Sequence, residues 1–335
     1  MNTRIVRLCA AALALLMLCG ACSRKKTARD ASPTGMTAEE IMALRNPVEP
    51  DMIVDGVAYV RKTGVQTVLF MGIDKKGDLE TAANSLGGQS DVLILVVVDA
   101  DARKQTMLQI DRDTMTEVEI LDSRGNPTGI RRQQQICLSH TYGQGDEKSC
   151  ENTVRTVSEL LLGIPVDGYV ALLYDAVPAL NDAVGGVEVR ITDDLTAADP
   201  SLIEGKTVTL NGSQALTFVR GRTNVADGTN VNRMGRQRTY LNALGSKVRA
   251  MMKTDSSVLN DLYYTAEPYM VTDMTLSELT SVAAEGAGYT DAGIVTVSGE
   301  HTREVYPNGN TYVEFHADGD SILENVLALF YEPIG

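Results

Sequence analysis

The sequence predicts an α/β protein, an α-β-α sandwich in which a central mixed β-sheet is flanked by helices. Three observations predict it. Candidate strands and helices alternate from residue 65 to residue 331. The run Val92–Val98 (VLILVVV) is apolar at every position, too uniformly for a sheet with one wet face, so both faces must be covered. The chain has 335 residues, 44% of them hydrophobic and 22% charged, which is long enough for a large core and ordinary for a globular protein.

Residues 1–22 read as an export signal. Arg4 and Arg7 make a positive start, and Leu8–Leu18 is an apolar run too short to span a bilayer comfortably. Cys19-Gly20-Ala21-Cys22 then resembles the lipobox of bacterial lipoproteins, with Cys22 as the lipidated residue. A short uncleaved anchor is the alternative. Either places the body at the outer face of the cytoplasmic membrane. Residues 23–60 read as a polar tether. In it Arg24, Lys25 and Lys26 suit anionic headgroups, and Pro33, Pro47 and Pro50 break regular structure.

A single domain is expected over 61–335. Its strands are expected at Val65–Met71, Val92–Val98 and Thr106–Ile110. Helical spacing covers Glu151–Leu162, ending at Gly163, and Tyr174–Ala183, stopped by Gly185-Gly186. A strand follows at Val187–Ile191, then a short helix Gln214–Val219 entered from Asn211-Gly212 and a long helix Arg233–Met252. Strands near Ile294–Val297 and Tyr312–His316 and a helix Ser321–Tyr331 complete the chain. Cys9 and Cys19 leave with the signal and Cys22 takes lipid. Cys137 and Cys150 remain, an even pair in an oxidising compartment, and are expected to form a disulfide contributing about 3 kcal/mol. Two separate buried thiols are the alternative.

Composition narrows the function. The formal net charge of −14 opposes non-specific binding to nucleic acid or anionic membrane. Three histidines and no HExxH argue against a His-rich zinc site, and the absence of Trp against a sugar module built on Trp platforms. Yet residues 201–250 hold eight Lys/Arg against two acids, whereas 255–335 hold fourteen acids and one basic residue, Arg303. Arg220 and Arg222 flank a glycine. Arg233 and Arg236 lie one turn apart near the start of the long helix. A basic helix face is commonly just solvated, but guanidinium forks this dense suit phosphate oxygens, and the helix N-terminus adds a positive dipole. A phosphate or pyrophosphate ligand follows.

Acids sit at the strand ends. Asp74 follows the first strand, Asp91 precedes the second, and Asp111-Arg112-Asp113 follows the third. If the first two strands run antiparallel, Asp74 and Asp91 converge at one sheet edge. Two carboxylates facing arginines would form a Mg²⁺–pyrophosphate site. Taken singly, such acids are commonly turn-formers. Gly205-Lys206-Thr207 lacks the first glycine of a P-loop, Pro200 standing there. His140 reads as structural or pocket-lining, and Tyr142 as packing or stacking on a sugar.

Together the segments VLFMGID (68–74), GQSDVLILVVVD (88–99), QIDRDT (109–114), ICLSHTYG (136–143), LLGIPVDGYVALLYDAVPALNDAVGGVEV (161–189), LNGSQALTFVRGR (210–222) and NRMGRQ (232–237) resemble the LytR-CpsA-Psr family of bacterial cell-envelope enzymes. The resemblance implies that family's fold and a phosphotransferase moving a phosphorylated glycopolymer from a polyprenyl-pyrophosphate carrier to peptidoglycan. It implies Asp74 and Asp91 as ligands of Mg²⁺ (or Mn²⁺). Arg112, Arg220, Arg222, Arg233 and Arg236 would clamp the pyrophosphate, with Gln237 assisting. Asp113 would orient an arginine or take part in proton transfer. The lipid tail would use an apolar groove between sheet and helices, with the expected Leu172–Val184 helix contributing. The chain departs from the family pattern at Gln89, where an arginine is common, at Asn230, near a position often acidic, and at Gln135 and Cys137, which stand for a lysine and an asparagine. Its lipobox stands for the more usual transmembrane anchor. A polyprenyl-pyrophosphate binder or pyrophosphatase without polymer transfer is the competing reading. A transcriptional attenuator is a third, opposed by the export signal and the acidity.

Overall fold

Alternate residues of the central strands feed two separate cores. Val68, Phe70, Val92 and Ile94 point into one, and Leu69, Met71, Leu93 and Leu95 into the other, all buried. This is the period-two geometry of a strand covered on both faces. The computed structural model describes residues 49–75, 87–143, 147–221, 230–255 and 257–334.

In chain order the first strands are β1 (Met52–Val54), β2 (Val57–Arg61), β3 (Val65–Asp74), β4 (Gln89–Asp99), β5 (Lys104–Ile110), β6 (Met115–Leu121) and β7 (Pro127–Gln135). A 3₁₀ turn, Ile136–Thr141, leads to α1 (Glu147–Leu160), β8 (Gly168–Leu173), α2 (Ala176–Ala183), β9 (Val187–Arg190) and β10 (Thr207–Leu210). Then come α3 (Gly212–Arg220), α4 (Asn230–Met252), α5 (Val258–Ala266), β11 (Met270–Thr272) and α6 (Leu276–Ala287). The chain finishes with β12 (Thr290–Thr296), β13 (Gly299–Val305), β14 (Thr311–Ala317), α7 (Gly319–Phe330) and β15 (Tyr331–Ile334).

The central sheet has six strands in the order β11-β8-β3-β4-β5-β12. It is mixed. β3 pairs antiparallel with β4 and parallel with β8, while β5 runs antiparallel to β4. Helices α2 to α6 contribute to the core on one face, and α1 and α7 to the core on the other. This is the expected sandwich. Local signals hold as well: α1 terminates at Gly163, whose φ of +83° suits a residue without Cβ, and Asn211 caps α3 in a reciprocal capping box with Gln214.

Four expectations change. The segment assigned to the tether begins regular structure early: β1 and β2 pair with each other, and β2 pairs with β15, tying residues 52–61 to the C-terminal end. Leu172 belongs to β8 rather than to a helix, and α2 starts only at Ala176. Two polar hairpins, β6–β7 and β13–β14, occupy stretches where one strand or none was expected. The Cys137–Cys150 disulfide is not formed. Both thiols are buried, but the Cys150 Sγ lies 3.6 Å from His140 Nε2, whereas the Cys137 Sγ faces Gln89 Oε1 at 4.0 Å. The two side chains are drawn to different neighbours. The export signal, Cys22 and the tether up to residue 48 lie outside the described residues. Among the described residues no helix is long and apolar enough to cross a membrane.

Candidate functional site

β3, β5 and β8 point the same way, so their C-terminal ends meet the start of β4 at one sheet edge. Ligands collect at such edges in open α/β sheets. The register sets Asp74 opposite Gln89 and Ile73 beside Leu173, which brings Asp74, Asp91, Arg112 and Tyr174 to this edge.

Asp91 is the hub. Only 5% exposed, it accepts from Arg112 Nη1 through Oδ1, and through Oδ2 from Arg233 Nη1 at 2.8 Å and the Tyr174 hydroxyl at 3.3 Å. A buried carboxylate between two guanidiniums satisfies the rule that buried charges must be paired. Arg112 is held at three points: to Asp91, to Asp113 Oδ1 from Nε at 3.0 Å, and to Gln89 Oε1 from Nη2 at 2.6 Å. Gln89, one of the departures from the family pattern, thus supplies an acceptor where an arginine would add charge. Asn230, another departure, bridges: its Nδ2 donates to Asp111 and its Oδ1 accepts from Arg233 Nε at 3.1 Å. Burial desolvates Arg112, but Cys137 and Asp113 outweigh that and raise its pKa; burial lowers that of Arg233. Both stay charged, since a guanidinium does not deprotonate in proteins.

Arg220, at the end of α3, pairs with Asp74 and lies over the Tyr174 ring at 5.5 Å. Both partners of that pair are about one-third exposed, so this arginine faces the open side. Behind it an apolar cavity of about 60 Å³ runs between sheet and helices, lined among others by Phe70, Gly72, Leu172, Tyr174, Leu180 and Gln237. The Gln237 Oε1 is buried without a hydrogen-bond partner among the described residues. Gly72 leaves room there, because a Cβ on it would lie 2.9 Å from Val92 side-chain carbons.

Not every expected residue joins this cluster. Arg236 is fully buried and turned the other way, donating from Nε to Phe218 O at 2.8 Å and from its Nη atoms to Asp193 and Gly221 O. It clasps the end of α3 instead of facing the cleft. Arg222 lies outside the described residues. Residues to which the sequence reading gave no role in the site do take part. Tyr174 touches Asp91 and Arg220. Asp111 joins the network through Asn230, and His301 of β13 sits 3.0 Å from Asp111 Oδ2, a contact that raises its pKa. Tyr174 was legible as the residue ending an apolar run; nothing in the local sequence marked His301. His140 is buried, its Nδ1 2.8 Å from Gly88 O, which is a structural position.

Among the described residues no three His, Cys, Asp or Glu side chains gather as a ready metal cage. Mg²⁺ does not need one, because it commonly binds one or two carboxylates and completes its shell with phosphate and water. Asp74 Oδ2 accepts no hydrogen bond among the described residues, and a carboxylate offers about four lone-pair positions, so Asp74 and Asp91 together suit that ion.

The model of the LytR_cpsA_psr family matches residues 30–327. The chain belongs to that family. Among LytR_cpsA_psr relatives, the polyisoprenyl-teichoic acid–peptidoglycan teichoic acid transferase TagV of Bacillus subtilis is 28% identical over 238 residues, covering 69% of this chain and 56% of TagV. The chain spans a little over half the length of the curated relatives it matches. The crystal structure of B. subtilis TagV matches with a TM-score of 0.59 at 24% identity, over 80% of this chain and 96% of that one. A structure of TagT bound to LI-WTA matches with a TM-score of 0.57 at 22% identity, over 80% and 90%. These likenesses show a shared LytR_cpsA_psr fold.

Proposed function

We propose that this chain transfers a phosphorylated glycopolymer from a polyprenyl-pyrophosphate carrier to a peptidoglycan hydroxyl. One observation carries the reading: Arg112, Arg220 and Arg233, paired with Asp91 and Asp74, gather around Tyr174, which lines an apolar cavity. Cationic forks there suit a diphosphate, and the neighbouring apolar cavity suits its prenyl tail. The names of the relatives, which act on polyisoprenyl-linked teichoic acid and peptidoglycan, support the same substrate class.

Phosphoryl transfer asks chiefly for positioning and charge neutralisation. Arg220, about one-third exposed, receives the diphosphate. Arg112 and Arg233 neutralise it from below, held in place by Asp113, Gln89 and Asn230. Asp113 Oδ1 already accepts from Arg112 and from Gln135 Nε2 at 3.0 Å, which favours the orienting role over proton transfer. Asp74 and Asp91 would hold Mg²⁺ or Mn²⁺, which when bound offsets charge on the phosphate oxygens. The acceptor hydroxyl oxygen bonds to the polymer-side phosphorus as the anhydride P–O bond breaks, polyprenyl phosphate leaves with the bonding electron pair, and the hydroxyl proton passes to that leaving phosphate or to water. The cavity is too narrow for a prenyl chain as it stands, so α2 and α4 must part to admit the tail. Gln237 and Arg236 act on the frame: Gln237 at the cavity wall, Arg236 at the root of α3. Export to the outer membrane face, with lipid on Cys22 or a short anchor, completes the proposal and puts the site beside its lipid substrate.

The test is transfer of a radiolabelled polymer from its prenyl-pyrophosphate carrier onto uncrosslinked peptidoglycan. The wild type should label the wall fraction and Arg220→Ala should not. Equal labelling by both would contradict the reading, and carrier cleavage without wall labelling would favour a pyrophosphatase.

A further inference from the structure

A second concavity is lined by Arg112. It is a polar groove of about 750 Å³ between the β6–β7 and β13–β14 hairpins. Its floor includes Arg112, Asp113, Gln89 and Asn230. One wall is the end of β7, where the amides of Gln133, Gln134 and Gln135 follow Arg132. Gln133 is exposed there with no side-chain partner among the described residues, and Gln134 Nε2 donates to Tyr142 at 3.2 Å. The facing wall carries Tyr306 and Tyr312, 37% and 38% exposed, with ring centroids 5.0 Å apart. Both rings are locked. The Tyr306 hydroxyl donates to Glu314 Oε1 at 2.6 Å, and the Tyr312 hydroxyl accepts from Asn308 Nδ2 at 3.2 Å.

Fixed aromatic faces opposite neutral amides are the chemistry that recognises a saccharide: ring C–H groups on an aromatic face, hydroxyl and acetamido groups on side-chain amides. The groove's position says which saccharide. Tyr174 lines the apolar cavity and bonds Asp91, Asp91 bonds Arg112, and Arg112 lines the groove. Cavity and groove are therefore linked through Tyr174, Asp91 and Arg112. In phosphoryl transfer the attacking and leaving oxygens lie roughly in line with phosphorus between them. If the leaving oxygen belongs to the prenyl tail in the cavity, the attacking hydroxyl comes from the groove.

We infer that the groove between these hairpins is the acceptor subsite and holds an N-acetylated glycan strand against Tyr306, Tyr312 and the β7 glutamines. The inference rests on the transfer reading above.

The experiment uses the full-length protein, a prenyl-pyrophosphate-linked polymer and a soluble uncrosslinked peptidoglycan oligosaccharide. The acceptor and donor KM are measured for wild type, for the Tyr306→Ala/Tyr312→Ala double variant, for Gln133→Ala and for Tyr306→Phe. Loss of both rings should raise the acceptor KM about tenfold, the equivalent of one or two aromatic contacts. Gln133→Ala should raise it less, and Tyr306→Phe, which keeps the ring but loses the hydroxyl bond to Glu314 that fixes it, should fall between wild type and the double variant. The donor KM should hold. A donor KM that rises instead would overturn the inference and place the polymer's own sugars in the groove. An unchanged acceptor KM in an active enzyme would overturn it while leaving the transfer reading standing. Oligosaccharide binding followed by NMR separates the other case. If the wild type binds the oligosaccharide through these tyrosines yet transfers nothing, the groove stands and the transfer reading falls; if neither binding nor transfer occurs, both fall.

Discussion

Replacing Arg236 with alanine should destabilise the protein severely and leave recognition of the diphosphate in the folded fraction intact. The guanidinium bonds Asp193, Phe218 O and Gly221 O. Its side chain is 2% exposed and that of Asp193 is 13% exposed. Breaking a buried charge pair costs about 3–5 kcal/mol, and each stranded carbonyl about 1–3 more. These do not add fully, because Asp193 can turn to water, so a net loss of about 4–6 kcal/mol follows. Domains commonly have only about 5–15 kcal/mol in total. In urea the midpoint should fall by about 2 M at an unchanged slope. Arg236→Lys keeps a charge but not the fork, and should lose roughly half as much. Arg220→Ala supplies the contrast. Its pair with Asp74 is partly exposed and contributes about 0–1 kcal/mol, so stability should hold while prenyl-pyrophosphate binding collapses. An Arg236→Ala protein as stable as wild type but unable to bind the diphosphate would refute the reasoning and return Arg236 to the clamp.

Three further outcomes follow. Gly72→Ala places a Cβ 2.9 Å from Val92 side-chain carbons, so it should lower stability by about 1–3 kcal/mol in urea denaturation; a neutral result would mean β3 and β4 separate more easily than their register implies. Alkylation of the denatured, unreduced protein should label both Cys137 and Cys150, and a cystine-linked peptide pair on mass spectrometry would contradict the buried-thiol arrangement. The His301–Asp111 contact raises the His301 pKa above 6.5, so an NMR titration should give a midpoint above that value. The stability this pair contributes is fully present below the unfolded pKa of about 6.5 and is lost as pH rises through the folded value. His301→Gln should flatten that dependence, and a midpoint below 6.5 would rule the pairing out.

The parts of the fold that the sequence made legible were those where apolar pattern and burial coincide. Val92–Val98 could belong only to a strand covered on both faces; the antiparallel run of β3 and β4 was the condition on which Asp74 and Asp91 converge, and the register meets it. β8 was hidden because GYVALL is six residues long and runs into Tyr174 and α2 without a breaking residue. β7 and β13 were hidden because their side chains are largely exposed and carry no alternation to read, so that only β14 of the four hairpin strands was expected, near Tyr312–His316. Helical spacing placed Arg233 and Arg236 on one side of α4. It could not tell that three residues of rise aim the first at Asp91 and the second at the end of α3. Lone partners such as Asp193 and His301 reach their arginine and aspartate across 43 and 190 residues, a distance at which no local pattern operates.

The central claim is tested most directly by a crystal structure of the protein with a prenyl pyrophosphate and Mg²⁺. The account predicts the diphosphate against Arg112, Arg220 and Arg233, the metal on Asp74 and Asp91, and the tail between Phe70 and Leu180. A diphosphate bound elsewhere, with Arg112 and Arg233 still locked on Asp91 and the cavity closed, would contradict it.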